Sequence, residues 1–333
     1  MYNKYQDIRK ILFIRFGNIG DVVHTTAAYQ MIRQNFKNID IDYLTSSLLQ
    51  ELLNNDIYLH QVISLDDPTL DGIFRLALKL SEENYDLIVN FQPTFKTLLF
   101  SAVINKKFTL TYSEFKPSRN QDHIHVVKNF YNTIQPVIPE IELPKDLKLY
   151  LNKEIEKWSK HTMEKENITH AIGIIPGAGR KSKHKLWPKE HWKQLLNYIC
   201  NKRGLNVIIL GGTNETKLAT ELQLVNKNKI RNFCGKLSIA QTTGILSLCM
   251  LVIGGDTGSS HIATAVGPKV IGLYGPTNIN KRGLFGRGHE IIQSNHNCLA
   301  CERKNCPYIK ENKLYSPCME KISVDSVIKA LGI

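Results

Sequence analysis

Residues able to transfer a proton or hold an anion recur in this sequence at the ends of short apolar runs, where a parallel α/β sheet displays its loops. The first such group is Phe16-Gly17-Asn18-Ile19-Gly20-Asp21, which follows a predicted strand and opens a predicted helix. Gly17 and Gly20 permit tight backbone geometry and the close approach of a substrate. The Asp21 carboxylate can accept a proton from an attacking hydroxyl, assistance worth about two to four orders of magnitude in rate. Asp is also among the best helix-capping residues, so local chemistry leaves catalysis and capping both open. Arg15 stands just before the loop and can hold an anionic acceptor or make a surface ion pair. His24, Thr25 and Thr26 are expected to form an exposed or capping polar face. The loop lacks the third glycine of a dinucleotide fingerprint and an acidic residue closing the second strand, which argues against a dehydrogenase.

Three later loops have the same placement. Pro176-Gly177-Ala178-Gly179-Arg180 ends a strand and runs through Lys181, Lys183 and Lys185 to Trp187-Pro188. Small residues and cations before a helix suit a pyrophosphate, and Arg180 or Lys185 can neutralise a departing diphosphate. A solvated basic loop accounts for the other cations, and Trp187-Pro188 is read as packing. In Gly211-Gly212-Thr213-Asn214-Glu215, Asn214 or Glu215 can bond ribose hydroxyls, while capping by Thr213 or Asn214 explains the same residues. The sharpest signal is Gly254-Gly255-Asp256-Thr257-Gly258-Ser259-Ser260-His261. Thr257 and Gly258 open a helix whose free N–H groups can cradle phosphate oxygens. Asp256 would repel phosphate and is assigned to sugar hydroxyls. His261, one turn into the helix on the side of Thr257 and Gly258, is within reach of a diphosphate.

Cysteine chemistry forms a separate group, Cys298-x2-Cys301-x4-Cys306-x11-Cys318. Four thiolates can complete a tetrahedral structural site for zinc or iron, although the later spacings match no standard zinc ribbon and free thiols are the alternative. Any metal there is expected to stiffen the region after Gly288 and to take no part in catalysis.

The elements that must position these residues follow the rhythm of doubly wound sheets. Strands are predicted at 11–16, 39–44, 61–65, 87–91 and 108–112, with helices at 21–35, 48–54, 74–80 and 97–104. Prolines 136, 139 and 144 and a charged amphipathic stretch at 152–167 interrupt the pattern. It restarts with strands at 171–175, 206–210, 251–254 and 270–273 and helices at 191–201, 215–224 and 324–331. A length of 333 residues exceeds one hydrophobic core and predicts two domains, 1–160 and 161–333, with the last helix a candidate to pack back on the first. No apolar run reaches the roughly 18 residues of a membrane span and no signal peptide is evident, so the chain is expected in the cytoplasm. A net charge of +13 predicts an anionic partner. The cations are dispersed and no RNP or zinc-finger pattern occurs, so nucleic acid is not expected.

Taken in order, these motifs resemble glycosyltransferase family 9, the bacterial heptosyltransferases of the lipopolysaccharide inner core. The resemblance rests on Arg15-x4-Gly20-Asp21, Pro176-Gly177-Ala178 with Lys185-x-Trp187-Pro188, Cys234-Gly235-Lys236-Leu237-Ser238, and Asp256-Thr257-Gly258-x2-His261. It implies an α/β GT-B fold of two Rossmann-like doubly wound domains facing across a cleft, the first binding acceptor and the second a nucleotide sugar. It further implies an ADP-heptose-type donor, a lipid A core or other glycan acceptor, inversion without a catalytic cofactor, and Asp21 as general base. Lys185 then serves the diphosphate, with Asp256, Thr257, Gly258 and His261 around sugar and phosphate, and Arg15 and Gly20 on the acceptor side. The basic surface would dock peripherally at the cytoplasmic face of the inner membrane. The loop before Lys185 is longer and more basic than in some members, and Asn214 stands where an acidic ribose ligand is expected. Both departures keep open another nucleotide sugar, a protein or other glycan acceptor, or a nucleotide-sugar-binding protein without transfer activity.

Overall fold

The computed structural model describes residues 2–36, 38–113, 124–138, 141–179, 182–309 and 314–333. The chain divides into two compact units, Met1–Tyr150 and Leu151–Ile333. In the first, the elements are β1 (Lys10–Ile14), α1 (Ile19–Asn35), β2 (Asp40–Thr45), α2 (Ser47–Leu53), β3 (Gln61–Ser64), α3 (Leu70–Ser81), β4 (Tyr85–Asn90), α4 (Phe95–Val103), β5 (Lys106–Thr111) and α5 (Val126–Ile134). The second contains α6 (Lys153–Lys165), β6 (Ala171–Ile175), α7 (Lys189–Asn197), β7 (Asn206–Ile209), α8 (Thr216–Gln223), β8 (Ile230–Asn232), α9 (Ile239–Ser247) and β9 (Leu251–Gly255). It continues with α10 (Gly258–Val266), β10 (Lys269–Tyr274), α11 (Ile279–Arg282), β11 (Glu290–Gln293), α12 (Pro317–Glu320) and α13 (Val324–Leu331).

Both sheets are parallel, and their strand orders fix where a ligand can sit. The first runs β3-β2-β1-β4-β5, the second β11-β10-β9-β6-β7-β8. Winding reverses between β1 and β4 in one and between β6 and β9 in the other. At such a reversal the flanking loops leave in opposite directions and open a crevice at the carboxyl ends of the strands. The central strands have apolar residues on both faces because helices cover both faces: Ile11 to Ile14 and Ala171 to Ile175 are all buried.

α1 is buried almost all round, since it packs on α5 as well as on its own sheet. His24, Thr25 and Thr26 are therefore interior, overturning the expected polar face. The Thr25 hydroxyl lies 2.7 Å from the Tyr43 hydroxyl and donates to Val22 O, which satisfies it locally. Phe13, Tyr29, Tyr43 and Phe91 form an aromatic core beneath the first loop. In the second unit Trp187 packs edge-on to Trp192, and its indole N–H donates to Ile322 O at 3.0 Å. The packing reading of Trp187 holds.

The position of the boundary differs from the expected one. The division falls at Tyr150/Leu151 rather than near residue 160, because α6 belongs to the second unit, where it packs on α9. That contact is close: a Cβ added to Gly244 would lie 2.1 Å from Ser159 Oγ. α13 buries Val327, Ala330 and Leu331 in the core of the second unit, against α7, β10 and β11.

Candidate functional site

In the first unit β1 ends at Ile14, two residues earlier than the predicted strand, and this releases Arg15 and Phe16 into the loop. Asn18 occupies the N-cap of α1 and Asp21 its first turn. The Asp21 side chain does not cap the helix. Its Oδ2 accepts from Arg15 Nη2 at 2.5 Å and from Asn18 Nδ2 at 3.3 Å. Arg15 is held in turn by its second nitrogen, which donates to Phe91 O at 2.7 Å after β4, and by the Phe130 ring, 5.7 Å from its guanidinium carbon. The chain after β4 is also tied to the loop after β1 by Phe16 N donating to Gln92 Oε1 at 3.0 Å. A carboxylate, one-fifth exposed, is thus oriented at the sheet's reversal point by a guanidinium that is itself held by Phe91 O and the Phe130 ring. Phe91, Gln92 and Phe130 escaped the sequence reading because they are distant in the chain and chemically ordinary.

The reversal point of the second sheet carries the denser constellation. Asp256, directly after β9, accepts from Lys185 Nζ at 2.5 Å and from Thr277 Oγ1 at 2.5 Å, both on Oδ2. His261 Nε2 stands 3.6 Å from its Oδ1. Burial by itself would raise the Asp256 pKa, but the His261 hydrogen bond and the Lys185 ammonium outweigh it and hold the carboxyl well below the usual carboxylate range. Both oxygens are therefore engaged by protein, and Asp256 acts as a hub that aims Lys185 and His261. Thr257 is the N-cap of α10, its hydroxyl accepting from Ser260 N at 3.4 Å. Gly258 begins the helix, so the first-turn N–H groups that a helix leaves unpaired lie beside the Lys185–Asp256 pair. Burial and the neighbouring Lys185 charge lower the pKa of His184. Thr277 is a functional neighbour that sequence reasoning missed, although it occupies the loop after β10 at the same sheet edge.

Glu215 is used structurally. Its Oε2 accepts from Gly212 N at 2.9 Å, and its Cγ would be 2.3 Å from a Cβ at Gly177, so the loops after β6 and β7 touch. Asn214 is exposed in the turn between them. Arg180 lies outside the described residues. A pocket of about 630 Å³ opens next to Lys185, lined also by Thr277, Arg282, Glu302, Arg303 and Lys304. The four cysteines converge on a neighbouring cavity of about 350 Å³. Even so, among the described residues no three Cys, His, Asp or Glu side chains are grouped to hold a metal ion. Cys298 Sγ lies 3.1 Å from His296 Nδ1, and Cys318 Sγ donates to Ser316 Oγ at 3.5 Å, which engages two of the thiols elsewhere. The structure does not support the expected zinc or iron site.

Comparison with known proteins decides the family. The model of glycosyltransferase family 9 (heptosyltransferase) matches residues 73–311. The chain belongs to this family. Lipooligosaccharide heptosyltransferase 2 of Campylobacter jejuni is 24% identical over 324 residues, which cover 94% of this chain and 95% of that one. The crystal structure of a family 9 glycosyl transferase from Veillonella parvula superposes with a TM-score of 0.84 at 19% identity, over 98% and 97% of the two chains. The Escherichia coli ADP-heptose lps heptosyltransferase II gives 0.79 at 17% identity, over 97% of each chain. The protein is a glycosyltransferase of the GT-B fold, with one parallel-sheet unit in each half.

The charge of this family 9 chain is unevenly divided. Residues 1–150 hold 16 Lys and Arg against 17 Asp and Glu, whereas residues 151–333 hold 27 against 13. The excess lies entirely with the unit that carries Lys185, Thr257 and His261. The first unit is close to neutral, so the basic character expected to attract an anionic partner belongs to the second. Among the described residues no helix is long and apolar enough to cross a membrane.

Proposed function

We propose that this protein transfers heptose from ADP-heptose to an inner-core lipopolysaccharide acceptor, inverting the anomeric centre, with Asp21 as general base. The observation that carries the reading is the pairing of chemistries at the two reversal points: an oriented carboxylate in one unit and a phosphate-suited helix start with Lys185 in the other. Asp21 takes the proton of the acceptor hydroxyl as it attacks the anomeric carbon from the face opposite the diphosphate. Lys185 and the first-turn N–H groups of α10 stabilise the charge that grows on the leaving ADP, where fixed positive charge lowers the barrier most. Arg15 positions Asp21, and Asp256 positions Lys185 and His261. The names of the relatives, which are heptosyltransferases, favour this donor and acceptor.

An acceptor held in a bilayer must be met at the membrane surface, and the reading places the protein at the cytoplasmic face. Exposed apolar side chains on two adjacent helices of the first unit, Leu70, Phe74 and Leu78 on α3 and Phe95, Leu98 and Leu99 on α4, suit such contact. The test is turnover of a panel of nucleotide sugars with defined lipid A core acceptors, repeated with Asp21→Asn. Expected is transfer from ADP-heptose, cut by about 10² to 10⁴ in kcat by the substitution while ADP affinity persists. Transfer from a different nucleotide sugar would replace the donor assignment. Donor binding with no turnover by the unaltered protein would make it a nucleotide-sugar binder.

A further inference from the structure

The pocket beside Lys185 has more positive charge than the site described above uses. Lys185 is already neutralised by Asp256 at 2.5 Å. Three more cations line the same pocket: Arg282 at the end of α11, and Arg303 and Lys304 on the loop that follows Cys301. Among the described residues none of the three has a carboxylate within ion-pair distance, while the one acid in the lining, Glu302, faces Lys281 at 3.6 Å. Three like charges gathered in one concave site without counter-ions repel one another, and the arrangement is relieved when an anion enters.

The loop is built to hold them there. Ala300 and Glu302 both adopt the left-handed backbone region, with φ of 55° and 51°. For residues with a side chain this conformation is strained, and it persists only where the surroundings hold it. Their N–H groups are spent on the chain after β10: Ala300 N donates to Gly275 O at 3.0 Å and Glu302 N to Pro276 O at 2.7 Å. Gly275 is itself wedged on Cys318 and Met319, whose sulfur atoms would lie 2.8 and 2.7 Å from an added Cβ. The strap carrying Arg303 is therefore clamped at the edge of the loop that presents Thr277, the partner of Asp256. Arg303 lines both this pocket and the cysteine cavity.

We infer that Arg282, Arg303 and Lys304 form a second phosphoryl-binding element of the site, presented by the clamped strap between Cys301 and Cys306. The ligand chemistry is a phosphate or diphosphate oxyanion held by charge-assisted hydrogen bonds from guanidinium forks and an ammonium. It comes either from the diphosphate of the donor or from a phosphate on the acceptor. The inference rests on the proposed transfer reaction for its meaning but not for its measurement.

The experiment measures ADP and inorganic pyrophosphate binding by calorimetry without acceptor, and in a parallel arm heptose transfer and the acceptor KM, for the unaltered protein, Arg303→Gln/Lys304→Gln and Arg282→Gln. Lys202→Gln, an exposed cation on the same unit away from the pocket, reports the loss of one charge at long range. Thermal melts check folding, which exposed positions such as 303 and 304 leave intact. The expected result is about a tenfold or larger loss of ADP affinity in the pocket variants, and little change in Lys202→Gln. ADP affinity unchanged but acceptor KM raised about tenfold would assign the element to an acceptor phosphate. Neither change, or an equal change in Lys202→Gln, overturns the inference. If the unaltered protein binds ADP and pyrophosphate but transfers no heptose, the reaction reading fails while the anion element is still decided by the binding arm. Binding of neither ligand would overturn both.

Discussion

Replacing Asp256 with Asn keeps the shape of the hub and removes its charge, so it isolates the electrostatic part of the site. At 2.5 Å and an effective dielectric near 20, the gross attraction between Asp256 and Lys185 is about 6–7 kcal/mol. Desolvating both groups returns much of this, and deleting one partner of a buried pair costs about 3–5 kcal/mol in general. Lys185 keeps 24% of its side chain exposed and can turn partly to water, which scales the expected loss to about 2–3 kcal/mol. For a unit of this size that is a fall in Tm of about 4–12 °C at pH 7. The pH dependence gives a second readout. The folded pKa of Asp256 is depressed below its unfolded value, so its contribution is present above the unfolded pKa, about 3.9, and is lost as pH falls through the folded value. The gap between the two proteins should therefore be full at pH 7 and should shrink below about pH 4. Calorimetric melts at pH 7 and pH 3, with ADP titrations alongside, make the measurement. A variant that melts within a degree of the unaltered protein at pH 7, or a gap that persists undiminished at pH 3, would refute the hub.

Two further substitutions test the scaffold. Trp187→Ala should cost about 3–5 kcal/mol, since the ring is 2% exposed, packs on Trp192 and closes a hydrogen bond to Ile322; chemical denaturation would show it as a lower midpoint with unchanged slope. Gly244→Ala drives a methyl to 2.1 Å from the buried Ser159 hydroxyl and should destabilise the α6–α9 contact by about 1–3 kcal/mol; a double variant with Ser159→Ala should recover part of that loss, and additive costs would argue against the contact.

Much of the architecture was legible because parallel sheets covered on both faces write their strands as continuous apolar runs, as at 11–14, 171–175 and 251–253. The elements that escaped notice lack that signal. β8 has three residues, β11 is an edge strand of four, and α9 mixes threonines and a glycine into a buried helix that is recognisable mainly by its Ser238–Gln241 capping box. The boundary was misplaced because a charged helix resembles a linker until its small-residue contact with α9 is known.

At the site the division follows chain distance. Asp21, Lys185, Thr257 and His261 stand in local strand-to-helix signatures, so their types and positions were readable from neighbouring letters. What Asp256 does was not, because its partners arrive from 71 residues upstream and 21 residues downstream. Arg15 likewise acquires its role from Phe91 and Phe130, and the four cysteines share a cavity without forming a ligand set. Which groups reach the carboxyl edges of the sheets is written locally, in the letters that end each strand and open the next helix. Which of those groups hold one another emerges in the folded chain alone, since strand order places loops side by side whose separation along the chain carries no local imprint.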